Sequence, residues 1–136
     1  MSVKRPIRGL LDTSIFIALE EGRPMRQEAI PKQSSISVVT RAELRVGVLA
    51  AEDLKSRDLR IATFEASGRF AALPIDDEVA RAWSQMRAYL AASGGRAPVN
   101  DMWIAATAAA YEMPVLTQDG DFDALHGVAG LNVIPV

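Results

Sequence analysis

The chain has 136 residues, which suits one domain with a sizeable core. Hydrophobic residues make up 49% and charged residues 24%, and no run of about 18 apolar residues offers a membrane span. Cysteine is absent, which excludes disulfides, thiolate metal sites and a cysteine nucleophile, and the net charge of −2 does not by itself announce a nucleic-acid binder.

Near the N-terminus, Lys4 and Arg5 have no apolar signal core behind them, so a cytosolic protein is expected. Ile7 to Leu11 then reads as a short strand ending in Asp12. A helix starts at Thr13-Ser14 and runs through Leu19, and Gly22 to Pro24 breaks it. A second short helix around Met25 to Ile30 stops at Pro31. Ser35 to Val39 reads as the second strand, and Thr40 starts a helix through Glu43, Leu44 and Leu49. The segment from Glu52 to Phe70 continues helical, with Leu54, Ile61 and Phe64 facing either the core or a second subunit. Ala72 to Ile75 is the third strand. Asp76 or Asp77 caps an amphipathic helix whose apolar face carries Val79, Ala82, Trp83, Met86 and Leu90. Ser93 to Pro98 is a flexible loop.

The stretch from Pro98 to Phe122 is the most informative. Asn100 suits an N-cap, and the apolar run from Met102 to Tyr111 predicts a helix buried all round. Pro114 ends it, Val115 to Thr117 is a buried strand, and Gln118 to Phe122 is an acidic turn. Leu131 to Ile134 makes the last strand. Repeated alternation of strand and helix implies an α/β domain, residues 1–136, with a parallel sheet covered by helices on both faces.

The acids fall into place on that scheme. Asp12 and Asp119 follow strands, Glu43 lies one turn into the helix after the second strand, and Asp101 opens the buried helix. Ligands of open α/β sheets collect beyond the carboxyl ends of the strands. Asp101 reaches that edge only if its loop crosses back over it. Each acid also has a plainer use. Asp12 could cap the next helix, Thr40-Arg41-Ala42-Glu43 is a capping box, Asp101 suits a helix dipole, and Gln118-Asp119-Gly120-Asp121 suits a turn. Taken together the plain readings weaken, because all four acids fall where one cleft is expected, and a cap can also be a ligand.

No lysine or arginine stands between Pro98 and Phe122. Clustered carboxylates repel unless a cation neutralises them. An all-oxygen site with no cysteine, and with His126 the chain's only histidine, favours a hard ion, Mg²⁺ or Mn²⁺. Such an ion suits phosphodiester hydrolysis. A phosphatase with Asp12 as nucleophile would want a second acid two residues on, where Ser14 stands. A binding module that keeps the fold without catalysis is the other alternative.

Four segments carry a family resemblance: Leu11-Asp12-Thr13-Ser14, Thr40-Arg41-Ala42-Glu43-Leu44, Asn100-Asp101-Met102-Trp103-Ile104-Ala105-Ala106 and Leu116-Thr117-Gln118-Asp119-Gly120-Asp121-Phe122. In this order they resemble the motifs of PIN-domain nucleases, and the compact chain resembles the VapC-type toxins of bacterial toxin–antitoxin pairs. The resemblance spans nearly the whole chain. It implies a three-layer fold with a parallel five-strand sheet, a Mg²⁺- or Mn²⁺-dependent endoribonuclease, a homodimer and a cognate VapB-type antitoxin. Asp12, Glu43, Asp101 and Asp119 match the family's acids, Asp121 shares or replaces the role of Asp119, and Thr13 matches a small hydroxyl position beside the first acid. The runner-up within the resemblance is a weakly active or non-catalytic RNA-binding module. Arg41, Arg45 and Arg96 are candidate phosphate contacts, each also readable as a solvated charge. His126 has no catalytic role in this reading, and Trp83 and Trp103 belong to the core or an interface.

Overall fold

The computed structural model describes residues 5–136. Five strands, β1 (Arg8–Leu11), β2 (Gln33–Ser37), β3 (Ala71–Leu73), β4 (Val115–Thr117) and β5 (Val133–Pro135), form one parallel sheet in the order β3-β2-β1-β4-β5. Five helices, α1 (Thr13–Glu21), α2 (Val38–Leu49), α3 (Leu54–Ser67), α4 (Asp77–Ser93) and α5 (Val99–Ala110), flank it. No helix among the described residues is long and apolar enough to cross a membrane.

Strand pleating sorts the core. Along β1 and β4, neighbouring residues point to opposite faces. Leu10 and Val115 join the cluster of Val79, Met86, Ile104 and Phe122 under α4 and α5. Leu11 and Leu116 join Ile15, Phe16, Ile36 and Leu44 under α1 and α2. Both faces are therefore apolar, and these strands read as continuous hydrophobic runs rather than alternating ones.

The chain lays down β1, β2 and β3 outward in sequence, then returns through α4 and α5 to place β4 on the other side of β1. Strand order thus reverses between β1 and β4, which are paired through Leu10–Val115 and Leu11–Leu116. The crevice beyond the carboxyl ends of this pair is where such sheets bind ligands. The hydroxyl of Tyr111, just past α5, contacts Asp76 at the start of α4, so the two helices run antiparallel. That puts the first turn of α5 back at the carboxyl edge, as the reading of Asp101 required.

Several boundaries differ from those expected. Val38 and Val39, read as strand, belong to α2, because the buried Ser37 hydroxyl accepts from the Val39 amide and starts the helix two residues early. Asn100 is not the N-cap of α5; Pro98 occupies that place without a side-chain bond, and Asn100 lies in the first turn. The short helix expected around Met25 to Ile30 contracts to one 3₁₀ turn at Gln27–Ala29. The acidic turn continues as a 3₁₀ helix, Gly120–Leu125, capped by Asp119. Ile7 is 84% exposed and lies outside β1, and β5 starts two residues later than expected.

Candidate active site

Asp12 leaves the end of β1 as the N-cap of α1, its Oδ2 accepting from the Ser14 amide at 3.3 Å. It is 2% exposed, and the same Oδ2 accepts from Thr117 Oγ1 at 2.8 Å. Burial raises the Asp12 pKa above the usual carboxylate range, and the bonds from Ser14 and Thr117 partly oppose that rise. Cap and site coincide in one side chain.

The hydroxyls around Asp12 form an ordered chain. Thr117 Oγ1 also accepts from the Asp119 amide at 2.9 Å and lies 3.2 Å from Ser14 Oγ. Since Thr117 spends its single proton on Asp12, the Ser14 hydroxyl donates to Thr117. Ser14 Oγ in turn accepts from the Gln118 amide at 2.9 Å. Residues after β1 and after β4 are laced together at the switch point.

A second chain serves Glu43. Its Oε1 lies 2.7 Å from Thr13 Oγ1, which lies 2.9 Å from Thr40 Oγ1. A carboxylate only accepts, so Thr13 donates to Glu43, and the buried Thr40 hydroxyl stands beside the same Thr13 oxygen. This corrects the capping-box reading of Thr40 to Glu43. Thr40 lies inside α2, which Ser37 caps, and the Glu43 carboxylate turns to α1.

Asp101, in the first turn of α5, stands opposite. Its pKa is pushed up to about 7, first by loss of hydration and then by the charges of Asp12, Asp119, Glu43 and Asp121. That set of neighbours is itself a statement of convergence: acids from four elements are close enough to repel. Asp101, Asp119 and Asp121 each offer a carboxylate oxygen, all within 4.8 Å of one another. Asp121 is exposed, and the Asp119 charge raises its pKa. An all-oxygen donor set of this kind fits a hard divalent ion.

Asp12, Thr13, Ser14, Glu43, Asp101 and Asp119 line one cleft of about 430 Å³. The expected arginines do not line it. Arg41 lies over the Phe64 ring at 4.9 Å, Arg45 is exposed on α2, and Arg96 lines another cavity beside α4 and α5. Arg23 is the arginine at the cleft, 3.2 Å from Glu21, and sequence reasoning passed over it. It also missed Ser14, Thr40 and Thr117 as supports. A hydroxyl two residues before Asp119 and two after Asp12 was the available signal. His126 has a structural task, its Nδ1 accepting from the Val133 amide of β5. Trp83 and Trp103 stack at 4.8 Å against the α4–α5 core.

The pattern that defines the PIN domain matches residues 9–128. The chain is 50% identical over 131 residues to Ribonuclease VapC5 of Mycobacterium tuberculosis, covering 96% of this chain and 97% of that one. It is 40% identical over 126 residues to Ribonuclease VapC4 of the same organism, covering 93% and 97%. The crystal structure of VapBC-5 from M. tuberculosis, a member of the VapBC family of toxin–antitoxin systems, matches with a TM-score of 0.90 and 48% identity. That match covers 96% of this chain and 100% of that one.

Proposed function

We propose that this chain, which belongs to the PIN-domain family and within it to the VapC-type proteins, is a metal-dependent endoribonuclease and the toxin of a toxin–antitoxin pair. The observation that carries the reading is the meeting of acids from separate elements at the β1–β4 switch point, close enough to push Asp101 to about 7.

Asp101, Asp119 and Asp121 would hold Mg²⁺ or Mn²⁺, with Asp12 and Glu43 completing the negative surround. The ion supplies Lewis acidity toward a phosphoryl oxygen and toward water. The rest is done by the chain. Thr117 and Ser14 fix the Asp12 carboxylate, and Thr13 with Thr40 fixes Glu43, so neither needs to reorganise as charge develops on phosphorus. In hydrolysis water adds to phosphorus, one P–O ester bond breaks, and a proton reaches the leaving oxygen. Glu43, at the cleft wall and free of its helix cap, is placed to orient that water. Thr13 serves substrate binding only indirectly, through Glu43.

The partner follows from the same geometry. A VapB-type antitoxin would lay its C-terminal segment along the cleft, with an arginine or lysine reaching Asp12, Asp101 or Asp119. Ile17 and Glu43 line both the acidic cleft and a neighbouring groove of about 300 Å³ between α1, α2 and α3, which also presents Leu44, Gly47 and Thr63. Apolar antitoxin side chains would seat there and exclude water from the ion pair. The toxin would act as a cytoplasmic homodimer.

The test is incubation of purified protein with a pool of cellular RNA, in Mg²⁺ or Mn²⁺ and then in chelator, with the cut ends mapped. Cleavage that stops with chelator and with Asp101→Asn is expected. Unchanged cleavage in either case sinks the metal assignment, and no cleavage of any RNA sinks the enzyme.

A further inference from the structure

Arg23 is the one basic side chain on the walls of the acidic cleft, which also carry the carboxylates of Asp12, Glu43, Asp101 and Asp119. An exposed arginine usually marks nothing, and its ion pair with Glu21 stands half in solvent, where such pairs contribute little. What sets this one apart is how its backbone is held. Gly22 closes α1 in the left-handed conformation, with φ at 69°, and the Arg23 amide donates back to the Ala18 carbonyl at 2.8 Å. The next residue is Pro24, whose ring fixes its own φ. The Pro24 carbonyl accepts from Gln118 Nε2 at 2.8 Å, and the Gln118 amide donates to Ser14 Oγ at 2.9 Å. Gln118 and Ser14 both line the cleft. The turn that carries Arg23 is thus tied to the end of α1 on one side and to the β1–β4 switch point on the other.

The side chain stays off the acids. Among the described residues its ion-pair partner is Glu21, 3.2 Å from Nε, and no carboxylate of the cleft pairs with it. A pair made through Nε leaves the two terminal nitrogens of the guanidinium, the edge that matches two phosphate oxygens at once. A cation collapsed into the cluster would take the place of a divalent ion, whereas one held at the rim adds to it. RNA brings further negative charge to a cleft already rich in carboxylates, and a divalent ion offsets only part of the sum. Arg23 supplies positive charge where the strand has to pass.

We propose that Arg23 is the substrate-phosphate contact of this site, binding a phosphate of the RNA strand through its terminal nitrogens. The proposal rests on the nuclease reading and says how that site holds its substrate.

In the Asp101→Asn background, where on that reading the strand stays uncut, anisotropy with a labelled single-stranded oligoribonucleotide reads the contact directly. Arg23→Ala should weaken binding at least about ten-fold at low salt, the least that a lost hydrogen bond to a charged group amounts to. The slope of log Kd against log salt should fall by about 0.7, the value for one single-strand phosphate no longer neutralised. Arg23→Lys should restore the slope but only part of the affinity, since lysine keeps the charge without the fork. Arg81→Ala is the control. Arg81 is also exposed and also paired, with Glu78, but does not line the cleft, so its loss should change neither quantity. Melting temperatures should stay together in all three variants, because surface ion pairs contribute little. An unchanged slope in Arg23→Ala overturns the contact and leaves Arg23 to a protein partner. An equal fall in both alanine variants also overturns it, since that would be general attraction between charges. If the wild type binds RNA without cutting it, the nuclease reading falls and the slope still decides the contact. If the wild type binds no RNA, the contact falls as well.

Discussion

Asp12 shows how one residue can serve fold and site together. It caps α1 through the Ser14 amide and is held from β4 by Thr117. Thr117→Val keeps the shape but removes the proton given to Asp12 and the acceptor for the Asp119 amide. Leaving such buried groups unpaired costs roughly 1–3 kcal/mol, so urea denaturation should show a loss of that size, with Thr117→Ser recovering much of it. Glu43 behaves differently. Because Ser37 caps α2, Glu43→Gln removes no cap, and the glutamine oxygen can still accept from Thr13. Stability should stay within about 0.5 kcal/mol of wild type, while the cleavage rate falls at least about a hundred-fold if Glu43 orients water. Melting curves beside cleavage rates check both halves. Equal retention of activity would leave Glu43 a structural residue.

At the scale of elements, what the sequence made legible was local. Asp12 and Asp119 were readable because each follows an apolar run that becomes β1 or β4, and Asp101 because it opens the apolar run of α5. The parallel sheet covered by helices followed from the alternation of elements, and its five strands from the family resemblance. The β2–α2 junction was misread because valine favours strands, whereas the Ser37 hydroxyl captured both valines for the helix. Arginine placement was not legible, because it depends on which helices pack together. Arg41 reaches Phe64 only because α3 lies against α2, and Arg96 lines a cavity away from the acids only because α4 and α5 form a hairpin. Close packing at the central strands is equally non-local. A Cβ on Gly9 of β1 would stand 2.4 Å from Leu116 Cδ1 and 3.1 Å from Pro31 Cγ, and Leu116 is fully buried. Gly9→Ala should therefore cost about 1–3 kcal/mol by overpacking. A Tm equal to wild type would mean that β1 and β4 can shift apart at no cost.

For the whole molecule, the fold spends stability to gather negative charge at the switch point. The folded state binds a proton at Asp101 far more tightly than the unfolded chain, with a pKa of about 7 against 3.8. The sign follows: the stabilisation is fully present below pH 3.8 and is lost as pH rises through about 7. Solvent screening at this half-open cleft limits the loss to roughly 1–2 kcal/mol. The raised pKa values of Asp12 and Asp121 act in the same direction. In chelator, the protein should thus be less stable at pH 8 than at pH 5, and Asp101→Asn should flatten that dependence and raise Tm at pH 8. On the proposed metal reading, a divalent ion should oppose this loss, because an ion that binds the folded state stabilises it by mass action and would compete with the proton on Asp101. Added Mg²⁺ or Mn²⁺ should raise the wild-type Tm at pH 8, do little at pH 5, and do little at either pH to Asp101→Asn. Thermal melts at the two pH values, with and without the ion, read all of this without reference to RNA cleavage. An Asp101→Asn protein that responds to Mn²⁺ as the wild type does would remove Asp101 from the metal centre.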